Sequence, residues 1–201
     1  MLLAVGVLLS ATSAQADRGA LSLDVGVGAA GLSLPAPYAS GTGNTVGVGF
    51  ETMVGVRYAL THALEFTVAG YFQPSVNYTH DGVTLVTPNG PFSGTVTNSL
   101  YFLGAVGGVR YVAGSVWKVV VGLEAGWCHR VYTGVHFTGA VSFPLASFST
   151  DNFLLQPLLG VEWAFADHWS ASLIPRVMVL IGPDPTLGAS LLLSISYSWF
   201  L

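Results

Sequence analysis

The chain has 201 residues, of which 52% are hydrophobic and only 8% charged. A soluble domain carries about 25% charged residues, so this chain cannot build an ordinary water-facing surface. Nothing in its net charge of −4 suggests nucleic acid, whose binding needs a basic patch. The 25 glycines disfavour long helices, and the single Cys128 excludes an intramolecular disulfide.

Residues 1–16 read as a secretory signal peptide: an apolar run over 2–9, too short to span a bilayer as a helix, then the small-x-small site Ala14-Gln15-Ala16. The mature chain, 17–201, then starts at Asp17. No Lys or Arg precedes the apolar run, and a start upstream of Met1 accounts for that.

From Ala20 onward, apolar residues alternate with small or polar ones, the period-two signal of strands. The spacing predicts strands over 20–31, 44–58, 63–72, 96–111, 117–130, 153–165, 168–181 and 186–201. In the first, Leu23, Val25 and Val27 share one face; in the second, Val46, Val48, Phe50, Val54 and Val56 do. Two segments rich in turn residues, 73–95 and 131–152, read as long loops. In the first of them Val83 and Val86 fit a hairpin that extends beyond the membrane. The second displays Val135, Phe137, Val141, Phe143, Leu145 and Phe148 among Thr and Ser. Such a patch either marks an interaction site or covers itself by extending the neighbouring strands.

A repeat ties the elements together. GVRYALTHALE at 55–65, GVRYVAGSVWK at 108–118 and GVEWAFADHWS at 160–170 each end one apolar strand, turn within a few residues and begin another. A period of about 50 residues marks a repeated supersecondary unit. Three such turns join six inner strands, and one strand at each end makes eight.

Charge decides which face meets lipid. Asp24, Glu51, Arg57, Glu65, Arg110, Lys118, Glu124, Arg130, Glu162 and Arg176 all fall opposite the apolar set. An Arg or Lys on a lipid face near the midplane costs about 2–4 kcal/mol, and this register needs none there. The outer faces carry Tyr58, Tyr101, Tyr111, Trp117, Trp127, Trp163, Trp169, Tyr197 and Trp199, read as aromatic girdles. Ten residues separate Tyr101 from Tyr111 and Trp117 from Trp127. At ~3.3 Å per residue and a tilt of about 40°, that spans roughly 25 Å, the height of the apolar band of a transmembrane barrel. Only helices and closed barrels satisfy every backbone group in lipid. The fold class expected is therefore all-β: an eight-stranded, antiparallel, up-and-down transmembrane β-barrel.

The signal peptide, eight strands, three short turns, longer opposite loops and the C-terminal run LLLSISYSWFL together resemble the small eight-stranded outer-membrane barrels. The nearest in architecture are the outer membrane protein A transmembrane domain and the outer membrane protein X type. The resemblance implies an outer membrane of a Gram-negative bacterium, lipid and lipopolysaccharide as surroundings, and a monomer. Leu193, Ile195, Tyr197 and Trp199 resemble the family's insertion signal for the barrel-assembly machinery, although the chain ends in Leu201 where the family usually has Phe.

Five lumen acids face five bases, which suggests pairing. Arg57 and Glu65 straddle their turn, and Glu162 is offered to Arg110 or Lys118 of the neighbouring hairpin. An eight-stranded barrel has an interior just wide enough for side chains, so the network is a salt-bridged plug or lines a narrow polar path. Some barrels of this size modify lipid A with Ser and His at the outer rim. Here His129, His136, Ser142, Ser147 and Ser149 lie near that rim without a Ser-x-His or His-x-Ser signature. The expected role is structural or surface interaction through the extracellular loops, with no enzymatic activity, cofactor or metal. A narrow channel for small or hydrophobic solutes is the alternative.

Overall fold

The computed structural model describes residues 18–39, 44–183 and 185–200; the signal peptide assigned to 1–16 lies outside the described residues. The strands are β1 (Ala20–Leu34), β2 (Thr45–Ala59), β3 (Leu64–Thr87), β4 (Gly90–Gly114), β5 (Trp117–Gly139), β6 (Ser142–Pro144), β7 (Phe148–Ala166), β8 (Trp169–Ile181) and β9 (Thr186–Phe200). Eight of them close a ring in the order β1-β2-β3-β4-β5-β7-β8-β9, with β9 returning to β1; every pairing is antiparallel. The ninth, β6, is three residues laid against the far end of β5. Three short turns at 60–63, 115–116 and 167–168 correspond to the repeated hairpin motif.

The wall is inverted relative to a soluble protein. Val25, Val54, Val68, Val121, Leu159, Val177 and Leu193 are all exposed, whereas Asp24, Glu51, Glu124, Arg130 and Arg176 are no more than 3% exposed. Only a lipid solvent makes that arrangement favourable, since the outer face carries side chains that water would drive inward. Near the short turns Trp117 stacks on Trp163 with centroids 5.6 Å apart, and Trp169 meets Tyr197 edge-on at 4.9 Å. Tyr58, Tyr111 and Trp199 complete this belt, while Tyr101 and Trp127 stand on the outer face toward the opposite end.

The two long loops expected at 73–95 and 131–152 are largely strand. β3 and β4 continue upward as a paired hairpin to Thr87↔Gly90, and β5 runs on to Gly139. Three β-bulges hid them. Extra residues enter β3 between Gln73 and Val76 and again between His80 and Val83, and β5 gains one opposite Thr97–Ser99. Gly82 and Gly134 take φ of 67° and 58° at two of these points, the left-handed geometry in which glycine meets no Cβ penalty. Each extra residue reverses which parity faces inward. On β3 the inward set passes from Tyr71 and Gln73 to Val76, Tyr78 and His80, then to Val83 and Leu85. The strands therefore lose their period-two signature while remaining strands.

The apolar side chains read as displayed in the second loop are correspondingly mostly covered. Val135 is 2% and Phe137 0% exposed, and Phe143, Leu145 and Phe148 pack against them; only Val141 stays open.

Candidate functional site

Three storeys of polar side chains fill the lumen. Nearest the short turns, Arg57 from β2 is gripped by three carboxylates. Its Nε lies 2.8 Å from Asp24 of β1, and its Nη1 lies 3.1 Å from Glu65 of β3 and 2.7 Å from Glu162 of β7 on the opposite wall. The Lys118 ammonium adds a second cation 3.4 Å from Glu162. Arg57 is opposite Thr67, so it reaches Glu65 diagonally; of the two partners expected for Glu162, Lys118 pairs with it, and Arg57 takes the place of Arg110.

In the middle storey, Arg110 donates to Glu124 at 2.8 Å, and the same carboxylate accepts from the Thr67 and Tyr71 hydroxyls at 3.0 and 2.9 Å. Arg176 pairs with Glu51 at 2.9 Å and lays its guanidinium over the Tyr71 ring, 4.2 Å from the centroid. Farther up, Arg130 donates to Asn152 at 2.8 Å and to Thr186 at 3.0 Å. All ten residues of the charge set thus point inward, and Lys118 is the least covered, with 14% of its side chain exposed. Sequence parity places Thr67 and Tyr71 inside as well, but their role as donors to Glu124 depends on distances across the lumen that no local pattern carries.

Above these storeys the barrel is capped by its own wall. β2 pairs with β1 up to Leu34↔Thr45 but with β3 only as far as Thr52↔Phe72. Beyond Phe72, β3 parts from β2 and leans across the mouth. Val76 and Tyr78 lie directly on Gly49 and Gly47; a Cβ at either glycine would collide with them. The Gln73 amide donates to the Ala30 carbonyl at 3.0 Å and bridges the opened seam. Tyr78, Leu100, Phe102, Tyr132 and Phe137 then join Leu32 and Leu34 in one buried apolar cluster. The His80 imidazole is buried in this cap, and desolvation holds its pKa below the ordinary value against the opposing influence of the neighbouring Asn98 and Asp81.

On the outer rim, His129 Nδ1 lies 2.8 Å from Asp151 Oδ1, and Trp127 Nε1 donates to the same oxygen at 3.0 Å. His136 Nε2 is 2.9 Å from the Ser142 hydroxyl. Cys128 faces inward and is fully buried. Among the described residues, no three His, Cys, Asp or Glu side chains are grouped to hold a metal ion.

With wall, lumen and cap in view, solved structures provide the comparison. OprG, an outer membrane protein of Pseudomonas aeruginosa, superposes with a TM-score of 0.57 at 12% identity, covering 96% of this chain and 100% of that one. The chain has the fold of the small eight-stranded outer-membrane β-barrels. Ail, the attachment invasion locus protein of Yersinia pestis, matches with a TM-score of 0.52 at 14% identity, over 90% of this chain and 99% of its own. Neisserial surface protein A matches with a TM-score of 0.51 at 13% identity, over 90% and 97%. No family model and no curated protein matches the sequence. The location of such barrels, and of this one, is the outer membrane of a Gram-negative bacterium.

Proposed function

We propose that this barrel acts without enzymatic activity, as a closed membrane anchor that makes contacts at the cell surface through its extracellular sheet. The observation that carries this is the division of labour between the two faces of that sheet. The inner face, with Tyr78, Leu100 and Phe137, is consumed in closing the barrel, while the outer face leaves Asn77, Thr79, Thr97 and Thr138 exposed. No Lys or Arg occurs in 73–100 or 131–153. A partner is therefore met by hydrogen bonding to hydroxyls and amides, as an uncharged glycan or protein surface would be, and not by a cationic patch. The monomer sits among lipid and lipopolysaccharide, and β9 presents the signal read by the insertion machinery.

Thr79→Lys combined with Thr97→Lys leaves the buried face intact. Cells displaying that variant should lose the retention on immobilised neutral glycans or matrix proteins that wild-type cells show. Retention unchanged by the double variant would remove the extracellular sheet as the contact surface.

A narrow channel is the second reading. It is favoured by the middle storey, where both atoms of the Gln156 amide and Nε and Nη1 of Arg176 have no protein partner among the described residues. Buried polar groups of that kind are commonly satisfied by internal water. Purified protein in planar bilayers distinguishes the two: the closed reading expects no steady current, and a stable open-state conductance would replace it with the channel.

A further inference from the structure

The β7–β8 seam contains a defect that neither the charge network nor the surface role uses. Its register pairs Leu155↔Val179, Leu158↔Arg176 and Val161↔Leu173, but the pairings of residues 156 and 157 with 178 and 177, and of 159 and 160 with 175 and 174, are missing. These are the pairings that need an amide hydrogen from residue 157 or 175, and both are prolines. The adjoining ladders, β5–β7 and β8–β9, run unbroken past the same two residues, so both proline nitrogens point into the one seam. Two carbonyls, Val177 O and Leu159 O, thereby lose their ladder donors. Pro157 is six residues from Trp163 and Pro175 six from Trp169, which puts the defect in the middle of the apolar band. Proline inside a sheet is otherwise confined to edges and bulges, and hydrocarbon offers no water to replace the missing donors.

The outer wall is hollowed at the same place. A depression of about 440 Å³ is lined by Pro157, Leu159, Pro175, Val177 and Ala189. It adjoins a second of about 540 Å³, which shares Ala189 and is floored by Ala29 and Gly31 between Leu187, Leu191 and Val48. Together they form an apolar trough that begins at two acceptors short of a donor.

We infer that this trough is a binding site, entered from the bilayer, for an alkyl chain bearing a hydroxyl group. The hydroxyl donates its one proton to one of the two carbonyls, Leu159 or Val177, and the chain lies along Ala189, Ala29 and Gly31 between the flanking Leu and Val side chains. A plain hydrocarbon fills the trough but leaves the carbonyls unchanged. A headgroup charge finds no counterion on this face.

The seam can be observed directly. The dipeptide Val177-Met178 occurs once in the sequence, and Leu-Gly occurs only at 103–104, 159–160 and 187–188. Labelling Val or Leu carbonyls with ¹³C and Met or Gly nitrogens with ¹⁵N therefore isolates the Val177 carbonyl and narrows Leu159 to one of three signals by NMR in lipid bilayers. Adding 1-dodecanol should move the Val177 or the Leu159 carbonyl signal downfield and saturate near one molecule per barrel, while dodecane should leave both in place. Pro157→Val with Pro175→Val returns both amide donors, so this variant should fold, show the downfield positions without additive and ignore dodecanol. Three results would overturn the inference: no response in the wild type, an equal response to dodecane, or an unchanged dodecanol response in the double variant. A shift already present in the wild type and sensitive to exchange into D₂O would do so as well, because lumen water would then be the donor.

Discussion

Replacing Arg57 by Met tests whether the lower lumen is a sealed ionic plug. The methionine is similar in length and apolar, so the change removes the charge while leaving little empty space. It strands Asp24, Glu65 and Glu162, whose side chains are 4%, 8% and 5% exposed. Breaking a single buried pair by removing one partner costs about 3–5 kcal/mol. Three carboxylates converge here and Lys118 reaches only Glu162, so the upper end of that range, about 5 kcal/mol, is expected. Folded domains have about 5–15 kcal/mol in total, so the variant should be severely weakened. Urea unfolding in lipid vesicles, followed by the fluorescence of the five tryptophans, reads the loss directly. Adding Asp24→Asn and Glu162→Gln to Arg57→Met should recover most of it, since two of the stranded charges disappear. A wild-type-like midpoint for Arg57→Met alone, within about 1 kcal/mol, would mean that water reaches these carboxylates and that the plug is not dry.

Val121 is exposed on the lipid face of β5 and Glu124 is fully buried on the other; Val121→Arg should cost about 2–4 kcal/mol and impair insertion, while Glu124→Gln should still insert. Heat-modifiable gel mobility reads this, and normal folding of Val121→Arg would reverse the assignment of the two faces. The cap should loosen in acid. Unfolded histidine titrates near 6.5, and buried His80 takes up its proton only at lower pH. The unfolded form therefore binds more protons in between. Stability is full above about 6.5 and is lost as pH falls from there through the folded value. Amide-exchange protection of Tyr78 and Leu100 should decline between neutral and mildly acidic pH, and His80→Phe should flatten that dependence. Gly49→Ala sets a methyl against Val76, so it should lift the cap at about 1–3 kcal/mol and lower the same protection while leaving the belt tryptophans unaffected.

Within the bilayer the architecture was legible because lipid imposes a strict rule: any strand that crosses must put charge on one parity and apolar bulk on the other. Glu51 and Arg57 on β2, and Lys118 and Glu124 on β5, reveal that rule from composition and spacing alone. Outside the bilayer the rule lapses. Pro74-Ser75, Asp81-Gly82 and Gly134 break the alternation at the bulges, and a strand whose faces exchange midway looks like a loop. The acid–base pairing was half legible for a related reason. Lys118 and Glu162 are direct cross-strand neighbours, a relation that hairpin repeats convey, whereas Arg57 and Glu162 meet across the lumen, a distance set by barrel closure. The prolines at 157 and 175 fall inside the strands predicted over 153–165 and 168–181 without disturbing the period; only the register shows that they face the same seam.

The bulges also govern how this surface can change length. The extracellular hairpin carries its inward face through two switches of parity on β3 and one on β5. Loss or gain of one residue at a switch, for instance at Ser75, would turn every side chain beyond it the other way, exposing Tyr78 and burying Asn77 and Thr79. Loss or gain of two residues restores the original facing. Variation in this hairpin is thus quantised: lineages can lengthen or shorten it in pairs, or in compensated singles, and uncompensated single steps would open the cap. Length changes among its homologues should be even-numbered wherever the cap is retained.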